Sequence, residues 1–172
     1  MVDENPAVVA LVKSLGLQAH VEGGYFRRTF QADHRDKLQT EYGPRFSMTS
    51  IYYLLTERAP VGHWHRNRSD ILHFYHRGDP ISYYLIHPDG TLQKVVMGPD
   101  PEAGHSLQLA VKGGTWKASH LDPAMTLGAG YGLISEAVAP GFEYEDMRLG
   151  EREQLLQQFP QHAEQVRAFS QD

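Results

Sequence analysis

Between residues 46 and 138 the chain repeats one pattern. A short run of β-branched and aromatic residues is followed by a turn signal, roughly every 8–12 residues. The runs fall at 47–56, 70–76, 81–87, 92–97, 106–111, 115–120 and 131–138. Arg77-Gly78-Asp79-Pro80, Pro88-Asp89-Gly90 and Ala139-Pro140-Gly141 punctuate them. Parallel strands need long helical crossovers, and nothing here is long enough to supply them. The pattern therefore predicts an all-β sandwich or barrel of the jelly-roll kind.

The ends read differently. Asn5 can cap a helix that Pro6 opens, Lys13 suits its last turn and Gly16 can close it. Residues 21–30 read as a strand opened by Gly23-Gly24, and 31–45 as a polar loop. Residues 150–159 carry Leu155, Leu156 and Phe159 at helical spacing, and Pro160 can start a second short helix. One domain over 1–172 is expected, with its core at about 17–148 and C-terminal helices at about 150–170.

Several function classes are excluded at this point. The stretch from Met1 to Pro6 lacks a cationic leader pattern, and no apolar run approaches the ~20 residues of a membrane span, so a cytoplasmic protein without membrane partners is expected. A net charge of −5 argues against a nucleic-acid partner. With no cysteine there is no thiol nucleophile or thiolate metal site. No phosphate-binding glycine loop, nucleophile elbow or His-Glu-x-x-His is present, so phosphoryl and hydride transfer lack support.

Histidine carries the chemistry. Four of the ten lie between Gly62 and Gly78: His63, His65, His73 and His76. On a regular strand His63 and His65 share one face, with Trp64 opposite. Two imidazoles on one face suit a first-row metal, which Asp70 could help to bind. His73 and His76 are three apart and face opposite ways unless a bulge intervenes. Structural readings stay open beside these. Either pair could bond a carbonyl or water, and Glu143, Glu145 and Asp146 could hold a loop.

The run Gly62-His63-Trp64-His65…Asp70…Gly78 resembles the first cupin motif. With Glu22-Gly23-Gly24-Tyr25-Phe26-Arg27, Lys112-Gly113-Gly114-Thr115-Trp116-Lys117 and Pro140-Gly141-Phe142-Glu143-Tyr144-Glu145-Asp146, the chain resembles the cupin-5 family over about residues 6–160. The resemblance implies a double-stranded β-helix with short terminal helices, and a homodimer. It also implies a structural likeness to epimerases of dTDP-4-dehydro-6-deoxyglucose, in which a barrel histidine removes a proton beside a ketone without metal. One departure stands out. Lys117 occupies the position of the second-motif metal-binding histidine, and a cation beside a divalent metal is unfavourable.

Three functions follow as expectations. The first is a metal-free, isomerase- or epimerase-like enzyme needing no cofactor, acting on a small carbonyl compound, carbohydrate or nucleotide-sugar. In it His65 is the base, Lys117 stabilises the enolate charge, and His76 or Tyr53 is the acid. His63, Trp64, Glu22, Trp116, Glu143 and Asp146 would contact the ligand. The second is a non-enzymatic small-ligand-binding module. The third is a metal-dependent oxygenase or isomerase whose divalent transition metal is held by His63, His65 and Asp70.

Overall fold

In the computed structural model, which describes residues 5–171, the expected jelly roll is found. Of the stretch read for a leader, residues 1–4 lie outside the described residues. The strands are β1 Gln18–Ala19, β2 Tyr25–Gln31, β3 Leu38–Thr40, β4 Gly43–Arg45, β5 Thr49–Thr56, β6 Val61–Asn67, β7 Asp70–Gly78, β8 Ile81–Ile86, β9 Leu92–Met97, β10 Gln108–Val111, β11 Trp116–His120, β12 Tyr131–Ala139 and β13 Met147–Leu149. Helix α1 spans Pro6–Leu15, α2 Arg152–Gln158 and α3 Ala163–Phe169. The polar stretch expected to be a loop contains the small β3–β4 hairpin, turned at a left-handed Gly43. Strand β13 is too short to show an alternating pattern and was not expected.

Two antiparallel sheets face each other, ordered β1-β2-β5-β12-β7-β10 and β13-β6-β11-β8-β9. Between them lies an apolar core that includes Leu55, Ile81, Leu85, Met97 and Ile134. The terminal helices cover the outer faces. α1 lays Val8 on Leu54, Tyr131 and Leu133 of the six-stranded sheet. α2 and α3 lay Leu155, Val166 and Phe169 on Trp64, Ile86 and Trp116 of the five-stranded sheet. This explains why β8 is apolar on both faces, since one side meets the core and the other the helices. Each such side chain taken fully out of water contributes ~1.5–3 kcal/mol. The expected caps of α1 form: Ala7 N–H donates to the Asn5 side chain at 3.0 Å, and Gly16 closes the helix at φ 61°. No helix among the described residues is long and apolar enough to cross a membrane.

Candidate active site

The site begins with an irregularity in β6. Opposite β11, His65 pairs with Lys117 and Gly62 pairs with Ser119, so three steps on β6 match two on β11. This bulge puts Gly62, not His63, on the inward face with His65. A Cβ at Gly62 would lie 2.6 Å from Tyr53 Oη, so no side chain fits there. His63 is left outside the barrel, where its Nδ1 lies 3.2 Å from the Phe169 carbonyl of α3. The expectation that His63 and His65 share a face is corrected accordingly.

His65 faces Glu22. A turn at His20–Gly24 carries Glu22, with Gly23 and Gly24 at φ 98° and 69°, a region L side chains avoid. Tyr53 Oη donates to the Gly23 carbonyl at 3.0 Å, and His63 N–H donates to the Glu22 carbonyl at 2.6 Å. The glycines are needed because strands crowd them: a Cβ at Gly24 would lie 2.6 Å from the Leu54 carbonyl oxygen. The seated Glu22 carboxyl lies 3.2 Å from His65 Nε2, and both residues are buried.

The partners of His65 favour one tautomer. His65 Nδ1 lies 2.7 Å from the His63 carbonyl, an acceptor only, so Nδ1 carries hydrogen. Nε2 is then a lone pair aimed at Glu22, and the contact needs one proton between them. Burial supplies it by pushing the Glu22 carboxyl up to about 8, and burial with Lys117 pushes His65 down to about 3. Near neutral pH Glu22 is the donor and His65 the acceptor.

A second cluster adjoins the first. Lys117, 3% exposed, reaches across the barrel from β11 to the opposite sheet. Its Nζ donates to His73 Nε2 at 2.7 Å and to Glu136 Oε1 at 3.2 Å. His73 Nδ1 donates to the Leu109 carbonyl at 3.1 Å, which leaves its Nε2 as an acceptor. Burial pushes the Glu136 carboxyl up, but the Lys117 ammonium beside it outweighs this and holds it well below the usual range. His20 accepts the Glu22 N–H at Nδ1, 3.0 Å, and burial pushes it down to about 4.

Of these groups His20, Glu22 and Glu136 line a cavity of ≈ 290 Å³, together with Arg28, Asn67 and Glu143. A side chamber of ≈ 10 Å³ lies against His65, Asn67, Thr115 and Lys117. Of the residues singled out in the sequence, Glu22, His65, Lys117 and Glu143 border this space. Tyr53 holds the Gly23 turn instead, and burial pushes its hydroxyl well above the ordinary tyrosine value. The others lie elsewhere. Trp64 sits under α3, its Nε1 donating to the Gln165 carbonyl at 3.1 Å. Trp116 packs among the same helices beneath Arg66. His76 is exposed and bonds Ser135 Oγ at 2.8 Å. Asp146 is gripped by Arg45 at 2.6 and 3.0 Å, which pins the 142–146 loop. Asp70 is exposed and bonds Lys112 Nζ at 3.0 Å.

His63, His65 and Asp70 therefore do not converge, and among the described residues no three His, Asp or Glu side chains form a metal-holding group. The donors that do converge are committed. His73 Nε2 accepts from Lys117, His65 Nε2 faces Glu22, and His20 Nδ1 accepts a backbone N–H. This set does not fit a divalent ion.

Two members escaped sequence reasoning. His20 precedes Glu22 by two residues, but their joint presence in one pocket depends on the turn. Glu136 left a clearer mark, as a lone charge inside the apolar strand Tyr131–Ala139. An inward charge in such a strand demands a buried partner, and Lys117 in Trp116–His120 is the matching case.

A model described as Cupin superfamily (DUF985) matches residues 9–150. The uncharacterized protein YML079W of Saccharomyces cerevisiae is 38% identical over 145 residues, 79% of this chain and 71% of the yeast protein. A solved hypothetical protein from Leishmania major superposes with TM-score 0.87 at 33% identity, over 95% of this chain and 98% of that one. Protein SO0799 from Shewanella oneidensis superposes with TM-score 0.81 at 31% identity, over 99% of each. Oxalate decarboxylase of Bacillus subtilis shares the fold alone, with TM-score 0.54 and 12% identity over 88% of this chain and 36% of that enzyme.

Proposed function

The chain belongs to the cupin-5 family (DUF985), and from that premise we propose that it is a proton-transfer enzyme of isomerase or epimerase type acting on a small carbonyl compound in the barrel cavity. The observation that carries this reading is the buried Glu22–His65 pair, 3.2 Å apart, with Glu22 on the wall of the cavity and His65 on its side chamber. A carboxyl that titrates at about 8 suits acid–base work near neutral pH.

The proton count balances within the pair. Glu22 passes its shared proton to His65 Nε2 and becomes a carboxylate beside an imidazolium. The carboxylate takes a proton from the carbon next to the substrate carbonyl. The pair then holds one extra proton and the substrate is an enolate, whose charge the imidazolium and the neighbouring Lys117 favour. Returning the proton to the other face of the same carbon epimerises the centre; where that carbon bears a hydroxyl, passing the hydroxyl proton to the former carbonyl oxygen and the carbon-bound proton to the former carbonyl carbon shifts the carbonyl and isomerises the compound. The step calls on no cofactor.

A binding module without turnover is the second reading. One observation favours it: the polar groups bond chiefly to one another.

Deuterium exchange separates the two. The protein is incubated in D₂O with hydroxyacetone and with dTDP-4-dehydro-6-deoxyglucose, and NMR follows the C–H beside the carbonyl. Exchange is expected for at least one probe. It should fall by roughly 10²-fold or more in Glu22→Gln and His65→Asn, the usual scale for a lost acid–base group. A probe that binds but exchanges no faster than in buffer leaves the binding module.

A further inference from the structure

Two buried polar atoms beside the cavity have no hydrogen-bond partner among the described residues: Asn67 Oδ1 and Thr115 Oγ1. Asn67 is 8% exposed and Thr115 3% exposed. Such atoms are rare in folded proteins, because leaving one unpaired costs its full desolvation penalty. Both border the ≈ 10 Å³ side chamber, which they share with His65 and Lys117. Asn67 also borders the main cavity, so the chamber lies beside that space. Its volume corresponds to a single oxygen atom.

The chemistry of the walls defines the occupant. Asn67 Oδ1 only accepts, so its partner must donate. Lys117 Nζ only donates, and its described partners use two of its three hydrogens. Thr115 Oγ1 can do either. A hydroxyl group does both, whereas a carbonyl oxygen or a methyl group leaves Asn67 unpaired.

We infer that Asn67 and Thr115 form a hydroxyl-recognition subsite, and that the ligand of the barrel is a hydroxy-carbonyl compound whose hydroxyl enters the side chamber. The inference rests on the proposed function for the location of the ligand and adds its chemical class. It also names two specificity residues outside the proton-transfer pair. Water can fill the same chamber, and the test separates it from a ligand hydroxyl.

The probes are hydroxyacetone and butanone, which match in size and differ by a hydroxyl in place of a methyl. Binding is read from the backbone amide NMR signals of Asn67 and Thr115 and from the Asn67 side-chain amide, independently of any turnover. Hydroxyacetone is expected to bind at least about tenfold more tightly, because a polar site rejects an analogue that strands its buried groups. Thr115→Val keeps the shape, should shrink that preference several-fold, and should leave Tm unchanged or higher. Equal affinity for the two ketones overturns the inference, as does binding of neither. A Tm loss of several degrees in Thr115→Val also overturns it, because the hydroxyl would then serve the folded protein through water. Failure of deuterium exchange with the hydroxyl preference intact rejects the enzyme reading alone.

Discussion

Lys117→Met is expected to cost the fold about 3–5 kcal/mol near neutral pH, the penalty for stranding one partner of a buried ion pair. The methylene stem is replaced almost atom for atom, so little packing is lost. What goes is the cation that holds Glu136 ionised between the sheets. Alone with neutral His73, that carboxylate is driven toward its protonated form, and its folded pKa rises above the unfolded 4.5. Stability gained in this way is present below pH 4.5 and drains away as pH rises. The variant should therefore be closest to the parent in mild acid and fall behind it toward pH 8. Urea unfolding at pH 5 and pH 7.5 measures this directly. Adding Glu136→Gln should restore much of the loss, since both charges are then absent. A single variant within 1 kcal/mol of the parent at both pH values would show that the triad bears no such strain.

That triad also shows where the sequence was legible. The β series, the α1 caps and the C-terminal helices could be read because each depends on local spacing. Lys117 could be read as a pocket residue, since it stands where a metal-binding histidine is expected. The partners of each inward group could not. Whether His63 or Gly62 joins His65 depends on one extra residue in β6, and a bulge leaves no trace in an alternating pattern. Trp64 and Trp116 look alike as pocket walls or as a seat for a helix, and the outcome rests on α2 and α3 returning across that face. Glu22 shows the same limit. Its Gly-Gly neighbours read as the opening of a strand, yet strands β5 and β6 crowd them too closely for any side chain. Long-range contacts decide these cases, and spacing does not encode them.

Glu22→Gln should abolish the alkaline fall in stability while weakening any proton transfer. In the parent, the folded carboxyl titrates at about 8 against 4.5 unfolded. A raised carboxyl contributes stability fully below pH 4.5 and loses it progressively up to pH 8. His20 and His65 run the other way, at about 4 and 3 folded against 6.5 unfolded. Their stability is present above pH 6.5 and is lost as pH falls through those values. Between pH 4.5 and 6.5 two histidines outweigh one carboxyl, so stability climbs with pH; above 6.5 only Glu22 remains, and it declines. These three groups place the maximum near pH 6.5. Each pH decade with one proton of difference is worth about 1.4 kcal/mol, so the alkaline loss reaches a few kcal/mol. Glutamine keeps an N–H for His65 Nε2, as the protonated acid does, but cannot ionise. The variant should match the parent near pH 6 and exceed it at pH 8.5. If the pair were instead a carboxylate beside an imidazolium, the same substitution would destabilise the protein at both pH values. Thermal unfolding across pH 5 to 9 therefore reports where the shared proton resides.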